Sequence, residues 1–402
     1  MSLTVALTGF VCICFYGIVK FLNLASTCSL PDLYAKDKTS TFVSTILASC
    51  PILMEAYMPP LLWGKSGHLQ TIIYAKMGRV KSPLPQGERI EKIMADQATM
   101  SFDVFQPQSV HPTEKDFTLA VCPGIANSSE SLYIRTLVDH AQKNGYRVAV
   151  LNHLGALRYV RLTAPRIFNY GETGEYNSMI DEIIRLYPNT TIIAVGCSMG
   201  ANIVLKYLGE DKSHEKKVIG ALSLCQGYDA NDAKPLLLSW ESGRRMYSYF
   251  MAVNLRNLIK HHKDILLGKE AIARYGPFDE DAIYASSSLL DIDVSYSLKT
   301  AEFRNYQEYY HWASCKQYLK GIEIPLIILN AKDDPIVPPV LYETAKKYVE
   351  SRDNCIFLTT DHGGHLGYFE GGILTPNTIT WLDRAVVEFS HALCQIHLKN
   401  HI

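Results

Sequence analysis

The sequence has no C-x-x-C pair among its ten cysteines and no cluster of cysteine with histidine at zinc-ligand spacing, so neither a structural metal nor a redox dithiol is expected. Cys122 in TLAVCPG and Cys225 in ALSLCQG sit inside strand-like runs and read as small buried hydrophobes with free thiols. A disulfide in a lumenal part of the chain is the alternative. Charge of one sign is also missing. With 39 basic against 40 acidic residues and a net charge of -1, no field draws in nucleic acid. Disorder is excluded by composition, since hydrophobic residues make up 48% and charged ones 20% of the 402 residues. One catalytic domain with additions is the simplest organisation for that length.

No Lys or Arg precedes the first apolar run, SLTVALTGFVCICFYGIV at 2–19, so the basic start of a cleaved signal peptide is absent. The run approaches the ~20 residues needed to cross hydrocarbon. A transmembrane signal-anchor over 1–24 is therefore expected, with Lys20 snorkelling at its end. Lys36 and Lys38 favour a cytoplasmic side after it, whereas the acceptors Asn127-Ser128-Ser129 and Asn189-Thr190-Thr191 would be glycosylated only in a lumenal protein. Asn127 lies beside the candidate site, where a glycan would obstruct.

Residues 25–60 carry Pro31, Pro51, Pro59 and Pro60 and read as connector and packing segments. From there apolar strands alternate with helices. TLAVCPG is followed by a helical SESLYIRTLVDHAQKNG, YRVAVLNHLG by ETGEYNSMIDEIIRLYP, and TIIAVGCSMG by ANIVLKYLGED. Further strands are read in GALSLCQG, PLIILNAKDD and NCIFLTTDHGG, with helices at 338–353 and from Asn377 to about Leu398. Strands apolar on both faces and separated by helices specify an α/β fold with a mostly parallel central sheet covered on two sides. Ligands in such sheets bind past the carboxyl ends of the strands.

The chemistry-bearing residues fall at those ends. Gly196-Cys197-Ser198-Met199-Gly200 follows a strand and opens a helix, the context of a nucleophile elbow. A serine hydroxyl needs a base and an orienting carboxylate, in this fold in the order Ser, Asp, His. After PLIILNA come Asp333 and Asp334, and the D-x-x-V-P spacing favours Asp334, with Asp333 as competitor. After the last strand, His365 follows two glycines and is favoured over His362 as base. The backbone N–H of Met199 and that of Ile125, in Pro123-Gly124-Ile125, are expected to bind the oxyanion.

Nearly a hundred residues separate the strands ending near Gly227 and beginning at Pro325, far more than a connection requires. Their aromatic, Met and Leu stripes read either as ordinary core or as a helical cap lining an acyl pocket. Lys260, His261, His262 and Lys263 read as a solvated face, and the H-x-x-x-x-D string from His111 to Asp116 as chance in a polar loop.

WGKSGHLQT, PGIANSSE, VLNHLGAL, GCSMGANIV, KDDPIVP and DHGGHLGYFEG together resemble the α/β-hydrolase domain-containing family of single-pass membrane lipases, over nearly the whole chain. The resemblance implies an α/β-hydrolase core at 86–228 and 324–398, a cap at 229–323 and an extension at 25–85 packing on the core. It implies hydrolysis of monoacylglycerols such as 2-arachidonoylglycerol, with broader activity on short acyl esters. It also implies no metal or cofactor, and a type II single-pass protein of the endoplasmic reticulum or cell membrane. Its catalytic positions fall on Ser198, Asp334 and His365. One departure is Asn152-His153-Leu154-Gly155, where more distant relatives carry N-x-R-G, so an Arg-dependent contact is absent. The motif Gly67-His68-Leu69-Gln70-Thr71 has no assigned role, and His68 is read as a packing or hydrogen-bonding residue. Acyl transfer to an alcohol by the same acyl-enzyme, and a non-catalytic lipid- or regulator-binding protein, are the alternatives to hydrolysis.

Overall fold

A computed structural model of the protein describes residues 3–81 and 83–400. Nine strands form one sheet: β1 (Asp32–Tyr34), β2 (Glu88–Ile93), β3 (Thr99–Phe105), β4 (Phe117–Cys122), β5 (Arg147–Asn152), β6 (Thr191–Cys197), β7 (Gly220–Leu224), β8 (Leu326–Ala331) and β9 (Cys355–Thr360). Their spatial order is β1-β9-β8-β7-β6-β4-β5-β3-β2. From β5 through β9 the pairs are parallel. β2 and β3 are antiparallel at one edge and β1 is antiparallel at the other.

Every residue of β4, β5, β7, β8 and β9 is buried, which explains why these runs lack alternation in the sequence. Side chains alternate between two apolar layers. Ala120, Ala194 and Ile328 face one, while Leu119, Val121, Ile193 and Leu329 face the other. Each fully buried branched side chain contributes ~1.5–3 kcal/mol of hydrophobic stabilisation. Helices Leu132–Lys143, Gly174–Leu186, Met199–Glu210, Pro339–Val349 and Trp381–Asn400 follow the strands as their patterning indicates. The ten cysteines are all unbridged.

The sheet edges depart from the sequence reading. Residues 25–60 hold a strand, β1, and a helix, Thr41–Ser49, capped by Ser40 Oγ accepting from Val43 N–H at 3.3 Å. Glu88–Ile93 is strand despite four charged residues, because it lies at the sheet edge, where Glu88, Glu91 and Ile93 are exposed and the other three are only half-buried.

The expected membrane span is not borne out. Leu3–Phe21 is a 19-residue helix, but among the described residues no helix is long and apolar enough to cross a membrane. Its length is about 28 Å at ~1.5 Å per residue, and Lys20 takes part of its last turn. A turn then directs the chain onto the body of the fold, where Asn23 Nδ2 donates to Lys65 O at 3.1 Å. Met1 and Ser2, the start of the expected anchor, lie outside the described residues. The single-pass placement in a membrane is withdrawn with it.

Between β7 and β8 the chain runs through helices, including Ala230–Leu238, Arg244–His261 and Tyr306–Ala313. A π-helical turn, Asp293–Ser297, interrupts them.

Candidate active site

Strand β6 ends at Cys197 and the next helix starts at Met199, so Ser198 must reverse the chain within one residue. It does so at φ 54° and ψ −119°, a conformation that costs a non-glycine residue ~1–3 kcal/mol. The flanking glycines are required by contact. A Cβ on Gly196 would lie 2.3 Å from Ala201 Cα, and one on Gly200 would lie 2.0 Å from Cys122 O.

Ser198 Oγ lies 2.8 Å from His365 Nε2, and His365 Nδ1 lies 2.7 Å from Asp334 Oδ2. The Asp334 carboxylate fixes the tautomer, since Nδ1 must donate to it and Nε2 is left to accept from the hydroxyl. Asp334 Oδ1 accepts from the N–H groups of Ile336 and Val337 at 2.7 and 2.9 Å. Both oxygens of this buried carboxylate are thereby satisfied.

The competing pair is placed alongside. Asp333 Oδ1 accepts from Gly364 N–H at 2.8 Å, but Oδ2 is 3.7 Å from His362 Nδ1, too long for a hydrogen bond. Burial raises the Asp333 carboxyl above its usual range. His362 Nε2 turns away from Ser198 to Ser26 Oγ at 3.1 Å. The two acid–histidine pairs therefore leave the sheet edge in different directions.

The GHLQT motif, unassigned from sequence, holds the loop that carries His365. Thr71 Oγ1 accepts from His365 N–H at 2.9 Å and donates to Gly67 O at 2.7 Å, while Gln70 Oε1 accepts from Phe369 N–H at 2.9 Å. Arg79 donates to Gly367 O at 2.9 Å. The loop needs this bracing because Gly364, Leu366 and Tyr368 all have positive φ. His68 itself meets Tyr247 Oη at 2.8 Å, joining the motif to the helix Arg244–His261.

Among the described residues, the N–H groups of Met199 and Ile125 donate to no other protein group. Both residues line one cavity of about 110 Å³ with Phe168, Leu237, Leu255 and Leu289. The Ile125 loop is held by Tyr133 Oη, which accepts from Gly124 N–H at 2.9 Å, and by His153 Nε2, which donates to Pro123 O at 2.8 Å. Burial lowers His153 to about 4, keeping it neutral. In the 152–155 turn a neutral histidine thus anchors the loop. No spacing in the sequence connects His153 with Pro123, so only the fold exposes this role.

Other residues singled out from sequence fall elsewhere. Lys260, His261 and Lys263 are exposed, but His262 is buried and donates to Gly155 O at 3.2 Å. His262 thus leaves the expected solvated face because its ring closes the contact between that helix and the 152–155 turn. His111 is buried against Phe117 and Tyr146, remote in role from Asp116. Asn189 is exposed in a turn. Asn127 spends its amide on Ile125 O at 3.0 Å, a contact a glycan would break. Among the described residues no group of three or more His, Cys, Asp or Glu is placed to hold a metal.

The family described as alpha/beta hydrolase fold matches residues 118–372. The human protein named monoacylglycerol lipase ABHD2 is 47% identical over 382 residues, covering 94% of this chain and 89% of the relative. A Drosophila melanogaster protein named abhydrolase domain-containing protein 2 is 44% identical, covering 96% and 95%. Among solved structures, an esterase from Pyrococcus furiosus is similar at 14% identity and a TM-score of 0.45, covering 71% of this chain and 88% of that one.

Proposed function

The chain belongs to the α/β-hydrolase fold family, and from that membership we propose that it cleaves carboxylic esters of lipids, monoacylglycerols foremost, through a Ser198 acyl-enzyme. The observation that carries this reading is the unbroken hydrogen-bond chain from Asp334 through His365 to Ser198, beside a cavity lined by two residues with free backbone donors.

His365 Nε2 takes the Ser198 proton as Oγ attacks the ester carbonyl. Asp334 stabilises the imidazolium that forms. The N–H groups of Met199 and Ile125 receive the charge developing on the carbonyl oxygen, helped by the amino terminus of the helix Met199–Glu210. His365 then returns the proton to the departing glycerol, and water repeats the sequence on the acyl-enzyme. The helices over 229–323 serve as a cap, whose Leu237, Leu238 and Leu255 form the acyl-side wall. The cavity is smaller than the ~150 Å³ space that accepts benzene, so it holds a short acyl chain as it stands. A long chain such as arachidonoyl requires those helices to shift.

The test is fluorophosphonate labelling of the wild type and Ser198→Ala, followed by assay on 1- and 2-monoacylglycerols and on short-chain esters. Labelling that vanishes in the variant, with glycerol and fatty acid released by the wild type, is the expected result. Labelling without release of either product removes the hydrolase reading.

A further inference from the structure

The cavity beside Ser198 is not apolar throughout. Asp293, Ser297 and Lys234 share its wall with Leu237, Leu255 and Leu289. Asp293 opens the π-helical turn Asp293–Ser297, an irregularity that recurs at functional sites because it re-aims side chains out of helical register. Its Oδ2 accepts from Tyr310 Oη at 2.7 Å. Among the described residues no cation forms a salt bridge with it. Lys234, which lines the same cavity, donates instead to Tyr306 Oη at 2.7 Å and lies 4.1 Å from that ring's centroid.

A carboxyl in such a place is costly to keep. Burial pushes Asp293 up to about 6, the direction expected where the charged form lacks compensation. A leucine would line a hydrocarbon pocket without that penalty. Tyr310 donates to one carboxyl oxygen and the Ser297 hydroxyl also bears on the carboxyl, so an occupant of the cavity would share the second oxygen with Ser297. An acid and a base on one wall also cancel in charge, so neither an ammonium nor a carboxylate guest is favoured over a neutral one.

We propose that Asp293, with Tyr310 and Ser297, selects acyl chains that carry a hydroxyl group over plain alkyl chains of the same length. The inference rests on the cavity being the acyl pocket of an ester hydrolase, and adds the substrate class. Given a volume of about 110 Å³, the part of the chain held there is about four carbons, scaled from the ~150 Å³ cavity that takes benzene's six. A guest hydroxyl donates to the carboxylate oxygen that Tyr310 does not use, alongside Ser297. When the carboxyl is protonated it donates to the hydroxyl instead, so the contact survives either state.

The experiment compares kcat/KM for nitrophenyl acetate, hexanoate, a series of hydroxyhexanoates with the hydroxyl moved along the chain, and an aminohexanoate. The full chain is used, as wild type, Asp293→Leu, Asp293→Asn and Tyr310→Phe. In the wild type one hydroxyhexanoate is expected to exceed hexanoate about tenfold, the worth of one hydrogen bond to a charged group. Asp293→Leu brings that ratio to one or below, and Asp293→Asn, which keeps an acceptor and a donor, retains part of it. Acetate turnover reports whether each variant is folded. Should Asp293→Leu lose it, the fall in the ratio for Tyr310→Phe carries the test. Absence of acetate turnover in the wild type overturns the hydrolase reading. Turnover with no hydroxyl preference, a preference unchanged by the substitutions, or an aminohexanoate that outperforms every hydroxyhexanoate overturns the selectivity alone.

Discussion

Two serine–histidine–aspartate chains lie side by side at the carboxyl edge of the sheet, and only one has the geometry of a nucleophile site. The inner chain joins Ser198, His365 and Asp334 with both links under 3 Å. The outer joins Ser26 to His362 at 3.1 Å, but His362 and Asp333 stand 3.7 Å apart with no hydrogen bond. Ser26 carries no positive φ, whereas Ser198 is held at φ 54° beside two unused N–H donors. Identical residue types therefore become different devices. What separates them is backbone strain at the serine, full satisfaction of the carboxylate, and two unused N–H donors beside it.

Substitutions can break this contrast. Ser198→Ala is expected to lower kcat by about a million-fold, to background, in an esterase assay, whereas Ser26→Ala leaves it unchanged. Equal losses from both would erase the distinction. Asp334→Asn should cost about ten-thousand-fold by presenting the wrong tautomer of His365, against less than about tenfold for Asp333→Asn. Thr71→Val removes the acceptor of His365 N–H, and a misplacement of the base of about 1 Å is worth about a hundredfold. It should appear in kcat with KM little altered. His153→Ala, which frees the Ile125 loop, is expected to cost about tenfold in kcat, the loss of one imperfectly held oxyanion donor.

The smallest effect concerns stability. Burial raises the Asp333 carboxyl, so the folded state holds that proton more tightly than the unfolded chain does. The stability this contributes is complete below the ordinary carboxylate range and is lost as pH rises through the raised value. Asp333→Asn has no such proton to release. Its melting temperature should gain on the wild type as pH moves from acid to neutral, and parallel melting curves at all pH values would refute the assignment.

The central strands and the elbow were legible because the relevant signals are local. An apolar run, a G-x-S-x-G turn and a helix start all lie within Thr191–Glu210. The preference for Asp334 over Asp333 rested on spacing alone. In the structure the two are separated by direction, with only Asp334 turned toward the imidazole that reaches Ser198. The edge strand Glu88–Ile93 is not legible in the sequence because four of its six residues are charged and no apolar alternation marks it. The amino-terminal run is apolar in composition, but the 19-residue helix it forms is not long and apolar enough to cross a membrane.

The parallel sheet, the position of Ser198 and the order in which a carboxylate and a histidine follow it are all readable along the chain, since each depends on periodicity or on steric demands between near neighbours. Folding alone settles which acid faces which histidine, that Gln70 and Thr71 brace the loop of His365, that His153 holds the Ile125 loop, and that Asp293 lines the pocket. Those contacts join residues far apart in the chain, and hydrogen bonds are set by distances and angles that no spacing along the chain records.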